Sequence, residues 1–159
     1  MPVNARLQQL LDSSGIDYQI IHHRKDFSAL STAADTDTPP EEFAKTVVLC
    51  IDNSYVLAVV PATHHVAPSR LARAVGAEHV RLASETEMKD LLPDCEVGAA
   101  PPFGKLFGLP TYASVLLVED QHITFNAGNH QDAVRMAWAD YERLAQPRIE
   151  HLSHHEDQF

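Results

Sequence analysis

Thr46-Val47-Val48-Leu49-Cys50-Ile51 is followed by Asp52-Asn53-Ser54 and then by Tyr55-Val56-Leu57-Ala58-Val59-Val60. Both runs are apolar and rich in β-branched residues. Neither alternates with polar residues, so each predicts a strand covered on both faces. The three residues between them are turn formers, so the stretch predicts a central β-hairpin.

Outward from the hairpin, helical and strand signals are interleaved. Leu7, Leu10 and Leu11 recur at helical spacing before Gly15, and Tyr18 to Ile21 predicts a short strand. Residues 22–38 are polar and irregular and suggest a functional loop. Thr38-Pro39-Pro40-Glu41-Glu42 has the chemistry of a helix start, with a capping hydroxyl, early prolines and first-turn acids. Pro68 opens a helix through Leu71 and Val75 that Gly76 closes, and Val80 to Ala83 predicts a strand. Ser84 and Glu87 form a capping box for a helix to Leu91. Strands are expected near 111–118 and 122–126. A helix is expected over 130–145, with Val134, Ala137, Tyr141 and Leu144 on one face. Residues 148–159 predict a polar, frayed C-terminal tail after a single domain of residues 1–147. The mixture predicts an α+β domain with a mostly antiparallel, curved sheet.

Composition narrows the classes. The 159 residues are 45% hydrophobic and 21% charged, which excludes wholesale disorder and fibrous repeats. Two cysteines, Cys50 and Cys95, are too few for a disulfide framework. No apolar run reaches a membrane span, and the N-terminus lacks the apolar core of a signal peptide, so a cytoplasmic protein is expected. Twelve basic against 22 acidic residues give a net charge of −10. Such a chain is repelled by a phosphate backbone at long range, so a nucleic-acid ligand must be held by a local patch. Arg24, Lys25, Arg70, Arg73 and Lys105 are the candidates.

Three segments carry possible chemistry. Lys45 has no other lysine or arginine between Lys25 and Arg70, and it abuts the buried strand. There it either snorkels to water or holds a carbonyl or phosphate oxygen in a cleft. Gly98-Ala99-Ala100-Pro101-Pro102-Phe103-Gly104 lies in an 18-residue segment (93–110) that breaks every period. Its small residues admit a ligand to backbone N–H groups, and its prolines hold those donors still; otherwise it is a plain connection. Phe125-Asn126-Ala127-Gly128-Asn129-His130 links the last strand to the last expected helix, with Asn129 as a cap. The histidine pairs His22-His23, His64-His65 and His154-His155 lack metal-ligand spacing, and no metal or cofactor is expected. Serine-hydrolase and phosphate-loop motifs are absent.

Phe43-Ala44-Lys45-Thr46-Val47-Val48-Leu49, Val59-Val60-Pro61-Ala62, Val80-Arg81-Leu82-Ala83-Ser84, the Gly98–Gly104 segment and Phe125-Asn126-Ala127-Gly128 stand in one order. In these five segments the chain resembles the YbaK/ProX-type trans-editing proteins. These are freestanding aminoacyl-tRNA deacylases related to the editing insertion of bacterial prolyl-tRNA synthetase. The resemblance spans residues 16–147. It implies a mixed, barrel-like β-sheet flanked by helices and metal-free hydrolysis of the ester of a misacylated tRNA. The family's signature lysine corresponds to Lys45, as the catalytic residue, followed by Thr46. Its glycine–proline loop corresponds to Gly98, Ala99, Ala100, Pro101 and Pro102, extended by Phe103 and Gly104. Gly128 and His130 would line the far wall, and His122 is a weaker correspondence. Ser114 stands where relatives often carry an aspartate.

The resemblance implies a small misattached amino acid, with alanine or cysteine on proline tRNA ahead of serine or threonine. The implied partners are the tRNA acceptor end and a synthetase, with the protein a monomer or homodimer. The other class open is a non-catalytic module that binds tRNA ends, amino acids or a synthetase.

Overall fold

The computed structural model describes residues 2–155. Asp52 and Asn53 both take positive φ, 45° and 71°. A two-residue hairpin turn needs that hand, and Asp and Asn tolerate it. The turn joins β2 (Phe43–Ile51) to β3 (Ser54–Pro61), which pair antiparallel from Ala44↔Pro61 to Ile51↔Ser54. The predicted hairpin is therefore the centre of the molecule.

The remaining elements in chain order are α1 (Ala5–Ser13), β1 (Tyr18–His22) and α2 (Ala29–Asp35) before the hairpin. After it come β4 (His64–Val66), α3 (Pro68–Val75), β5 (Val80–Leu82), α4 (Glu85–Leu91), β6 (Thr111–Ser114) and β7 (His122–Asn126). The chain continues with β8 (Asp132–Ala137), α5 (Trp138–Ala145), β9 (Arg148–Glu150) and β10 (Ser153–His155). The main sheet has the order β1-β8-β7-β2-β3-β6-β9, with β5 also on β2; β4 and β10 pair separately. Pairings of β2 with β7, β3 with β6 and β6 with β9 are parallel, and the others are antiparallel.

Both faces of the hairpin are covered, as its unbroken apolar runs require. On one face Ala44 and Val59 pack with Leu7 and Leu11 of α1, Phe103, Phe125 of β7, and Trp138 and Tyr141 of α5. On the same face Val48 and Leu57 meet Met88 and Leu91 of α4 and Ala100. On the other face Leu49 and Ala58 pack with Leu71 of α3 and with Leu152, and Phe43 packs with Ala33 of α2. The α+β class and the helix-flanked mixed sheet hold. The barrel-like form does not, because the sheet is open, with β1 and β9 at its ends.

Five local expectations change. The strand expected near 111–118 ends at Ser114, whose hydroxyl caps a 3₁₀ turn over Val115–Glu119. Thr38 to Glu42 is a turn, in which the Glu42 N–H donates to the Pro39 carbonyl at 2.9 Å. The Thr38 hydroxyl is taken by Arg135 Nη2 at 2.7 Å and caps nothing. Residues 22–38 are not wholly irregular, since α2 lies within them. The helix expected over 130–145 is a strand to Ala137 and a helix only from Trp138. Val134 and Met136 turn to one core and Ala133 to the other, which is strand alternation. β8 supplies partners to both β1 and β7, and that pairing overrides helical spacing. Finally, residues 148–155 are not frayed: β9 extends the sheet and Leu152 is fully buried. Burying one leucine contributes about 1.5–3 kcal/mol, enough to hold a short polar segment in place. The rest of the predicted tail lies outside the described residues.

Candidate functional site

Lys45 is the third residue of β2 and is half-buried. Residues along a strand alternate faces, so Lys45 shares the α2 face with Phe43, and Thr46 turns to the opposite core. The parallel pairing with β7 runs Phe43↔Thr124 and Ala44↔Phe125. Lys45 and Asn126 each follow the last pair of this ladder by one residue. Asn126 Oδ1 is buried and has no partner among the described residues.

The register also opens a gap. β7 pairs with β2 only as far as Ala44, and the Val48 carbonyl already accepts from the Ala83 N–H at 2.9 Å, next to β5. Between them, the outer edge of β2 at residues 45–47 has no ladder partner among the described residues. Lys45 and Thr46 therefore lie between the ends of the β7 and β5 ladders on β2.

The glycine–proline segment is fastened to the end of β7. The Gly128 N–H donates to the Ala99 carbonyl at 2.9 Å, and the Glu96 N–H donates to the Gly128 carbonyl at 2.8 Å. Glu96 Oε1 accepts from the His130 N–H at 2.7 Å. His130 Nε2 lies 2.8 Å from the Val97 carbonyl. A carbonyl only accepts, so the proton is on Nε2, and in the neutral ring Nδ1 carries the lone pair. That Nδ1 is buried without a partner among the described residues. Gly98 is exposed with φ +83°, and a Cβ there would sit 3.7 Å from His130 Cε1. The N–H groups of Gly98 and Ala100 take no partner among the described residues. They are the donors this segment offers.

Other predicted site residues serve the frame. Phe103 is fully buried between Phe125 and Tyr141, with ring centroids 5.7 and 5.1 Å away. Pro101 and Pro102 are buried, and the Pro102 carbonyl accepts from the Tyr141 hydroxyl at 2.7 Å. Gly104 is sealed: a Cβ would meet the Leu109 carbonyl oxygen at 2.2 Å. Gly128 is also buried, and its missing side chain makes room for Asn4. Thr46 is half-buried, with its hydroxyl unpartnered among the described residues.

His122 begins β7, four residues before Asn126, so about 13 Å of strand separates it from this end. Ser114 lies one step beyond the Val59↔Ala113 pair, in the row of Val60 and Lys45. Its hydroxyl accepts from the Leu116 N–H at 3.2 Å and caps a 3₁₀ turn. The expected basic residues do not share one element. Arg24 and Lys25 precede α2, with Arg24 tied to Asp35 at 2.9 Å, while Arg70 and Arg73 ride on α3. Lys105 is in the 3₁₀ turn Gly104–Phe107, whose Leu106 carbonyl is held by Arg6 of α1.

Several positions around the candidate site escaped the sequence reading. Asn126 is marked only by its buried, unpartnered Oδ1. Glu96 is marked by its two bonds, to the Gly128 carbonyl and from the His130 N–H. Asn4 caps α1 and reaches the carbonyl of Asp94 and Cys95 Sγ, so the N-terminal segment braces the site's rear wall. Burial raises the Cys95 thiol to about 11, which leaves it inert at neutral pH. Among the described residues no group of three or more His, Cys, Asp or Glu is placed to hold a metal ion. No helix is long and apolar enough to cross a membrane.

Comparison with known proteins bears on the family and the fold. The aminoacyl-tRNA editing domain matches residues 23–144. The multifunctional Ser/Thr-tRNA deacylase ProXp-y of Escherichia coli K12 is 34% identical over 149 residues, which cover 91% of this chain and 89% of that protein. A proline–tRNA ligase of Bacillus cytotoxicus is 37% identical over 65 residues, 41% of this chain and 11% of the ligase. The crystal structure of a putative trans-editing enzyme for prolyl tRNA synthetase superposes with a TM-score of 0.84 at 19% identity, over 97% of this chain and 98% of its own. The hypothetical protein APE2540 has the same fold, with a TM-score of 0.83 at 15% identity over 94% and 99% of the two chains. The chain therefore belongs to the aminoacyl-tRNA editing domain family, as a deacylase of the YbaK type.

Proposed function

We propose that this protein hydrolyses the ester of tRNA misacylated with serine or threonine. The observation that carries the choice of amino acid is a pair of unpartnered polar atoms at and just after the end of β7. Asn126 Oδ1 and His130 Nδ1 are both buried acceptors without a partner among the described residues. A substrate hydroxyl can donate to such an atom, whereas a methyl or thiol side chain leaves it unsatisfied. That ordering differs from the expectation of alanine or cysteine first, and it agrees with the named activity of the E. coli relative.

An aminoacyl ester is already reactive, so the site has mainly to position it and stabilise charge on its carbonyl oxygen. In this reading the Lys45 ammonium holds the acceptor end against the open edge of β2. The Gly98 and Ala100 N–H groups receive the oxyanion. Water adds to the carbonyl carbon, the ester C–O bond breaks, and the tRNA terminal hydroxyl leaves with a proton. Pro101 and Pro102 keep the donors in place, so little reorganisation is needed as charge develops.

The test is a panel of tRNAs charged with serine, threonine, alanine, cysteine and proline, each ester followed with time. Seryl or threonyl esters should disappear at least about tenfold faster than alanyl or cysteinyl esters. Equal or faster loss of the alanyl or cysteinyl ester overturns the substrate choice. Survival of every ester overturns the deacylase reading and favours a binding module.

A further inference from the structure

We infer that Phe27 is the stacking platform for the terminal base of the acceptor strand, with Lys25 beside it to meet that nucleotide's phosphate. This rests on the deacylase reading and extends it from the ester to the base. Phe27 is 74% exposed, the most exposed of the large hydrophobic side chains. A phenyl ring this open beside the candidate site offers a flat apolar face to a planar partner.

The ring is exposed but anchored. Its centroid lies 4.7 Å from that of His130, at an interplanar angle of 49°. The preceding Asp26 N–H donates to the His130 carbonyl at 3.1 Å, and Ser28 caps α2 immediately after it. His130 in turn holds the Val97 carbonyl and lies against Gly98. Phe27, His130 and Gly98 thus form one continuous wall, with an open aromatic face at one end and the free N–H groups at the other. An aminoacylated terminal nucleotide has the same layout, a base on one side of the ribose and the ester on the other.

The surroundings fit a nucleotide. Lys25 Nζ is 5.6 Å from the Phe27 centroid, so a cation stands at the edge of the platform. Exposed Leu30, one turn further along α2, extends its apolar rim. Unpaired RNA bases are bound by stacking on aromatic rings next to cations that meet the backbone. A small platform of this kind also suits a protein whose overall charge repels the rest of the tRNA.

The test measures the affinity of an uncharged RNA hairpin ending in CCA, and of the same hairpin with an abasic last nucleotide. Both are titrated with wild type, Phe27→Leu and Phe27→Trp, and thermal melting checks each fold. Phe27→Leu should weaken the CCA hairpin by about tenfold, and Phe27→Trp should retain it. Removing the base should cost wild type a similar factor and cost Phe27→Leu almost nothing, since base and ring are lost as a pair. The inference is overturned if Phe27→Leu binds the CCA hairpin as wild type does, if the two losses add in full, or if wild type does not bind it. Failure of the deacylase reading is a separate result, the persistence of charged hairpins in the presence of wild type.

Discussion

Lys45 and Gly128 show how differently two residues of one site are constrained. Lys45 is half-buried in an otherwise apolar strand, at the stretch of β2 between the β7 and β5 ladders. Lys45→Ala should leave the melting temperature nearly unchanged and slow deacylation by about a hundredfold or more, as removal of a preorganised charge does. A variant with full turnover removes Lys45 from the chemistry. Gly128 is constrained by packing. With φ at +102° and a would-be Cβ 2.9 Å from Asn4 Cβ, an alanine there suffers both backbone strain and a clash. Gly128→Ala should destabilise the fold by about 2 kcal/mol in urea unfolding. Unchanged stability would show that α1 can withdraw its cap freely. The sequence marks both residues, since a lone lysine beside an apolar run and a glycine after a strand stand out. It conceals Asn126, Glu96 and Phe27, which acquire meaning only across the register, through residues tens of positions away.

The elements differ in legibility for a related reason. β2 and β3 are readable because two apolar runs around an Asp-Asn turn have one low-energy arrangement, and α4 is readable because Ser84 and Glu87 cap it reciprocally. β8 is not, because Val134, Ala137 and Tyr141 fall at helical spacing while the sheet on either side needs a strand. β9 and β10 are not, because their pairing rests on partners in β6 and β4 and on one buried leucine. The turn before β7 supplies a prediction at this scale. Asp120 lies among Glu41, Glu42 and Glu119, and burial with that repulsion pushes its carboxyl from the ordinary 3.8 up to about 6. The folded chain thus binds this proton more tightly than the unfolded one, and the contribution is lost as pH rises from about 4 to about 6. Asn cannot ionise, so Asp120→Asn should raise the melting temperature at pH 7.5 and have little effect at pH 4. An equal gain at both values would show that the carboxylate is not penalised in the fold. Glu87 has the opposite sign, because Arg81 and the Ser84 N–H hold its carboxyl well below its usual range. Its contribution is complete at neutral pH and fades as pH falls below the ordinary carboxylate value of 4.5, but it is common to Asp120→Asn and its parent and cancels in their comparison.

At the scale of the molecule, a net charge of −10 has to coexist with an RNA ligand carrying one charge per nucleotide. The fold resolves this by keeping contact local. Of the basic residues first considered, Arg70 and Arg73 belong to α3, Lys105 to the segment held by α1 and Lys25 stands at Phe27; Lys45, outside that set, lies on β2 between its two outer ladders. Arg24 is already engaged by Asp35. Two or three cations then meet phosphate, and counterion release gives about −0.7 per single-stranded contact, a slope of log affinity against log salt near −2. Added salt also screens the repulsion between the acidic body and the tRNA, which flattens the slope further. Between 50 and 200 mM salt, kcat/KM for a charged tRNA should therefore fall by about twentyfold at most. Lys25→Ala should make the slope shallower by about 0.7, and Arg70→Ala should leave it unchanged. A slope steeper than about −4, softened by Arg70→Ala or Arg73→Ala, would mean that the acceptor stem lies across α3. The acidic surface would then be interrupted by a second, extended RNA track.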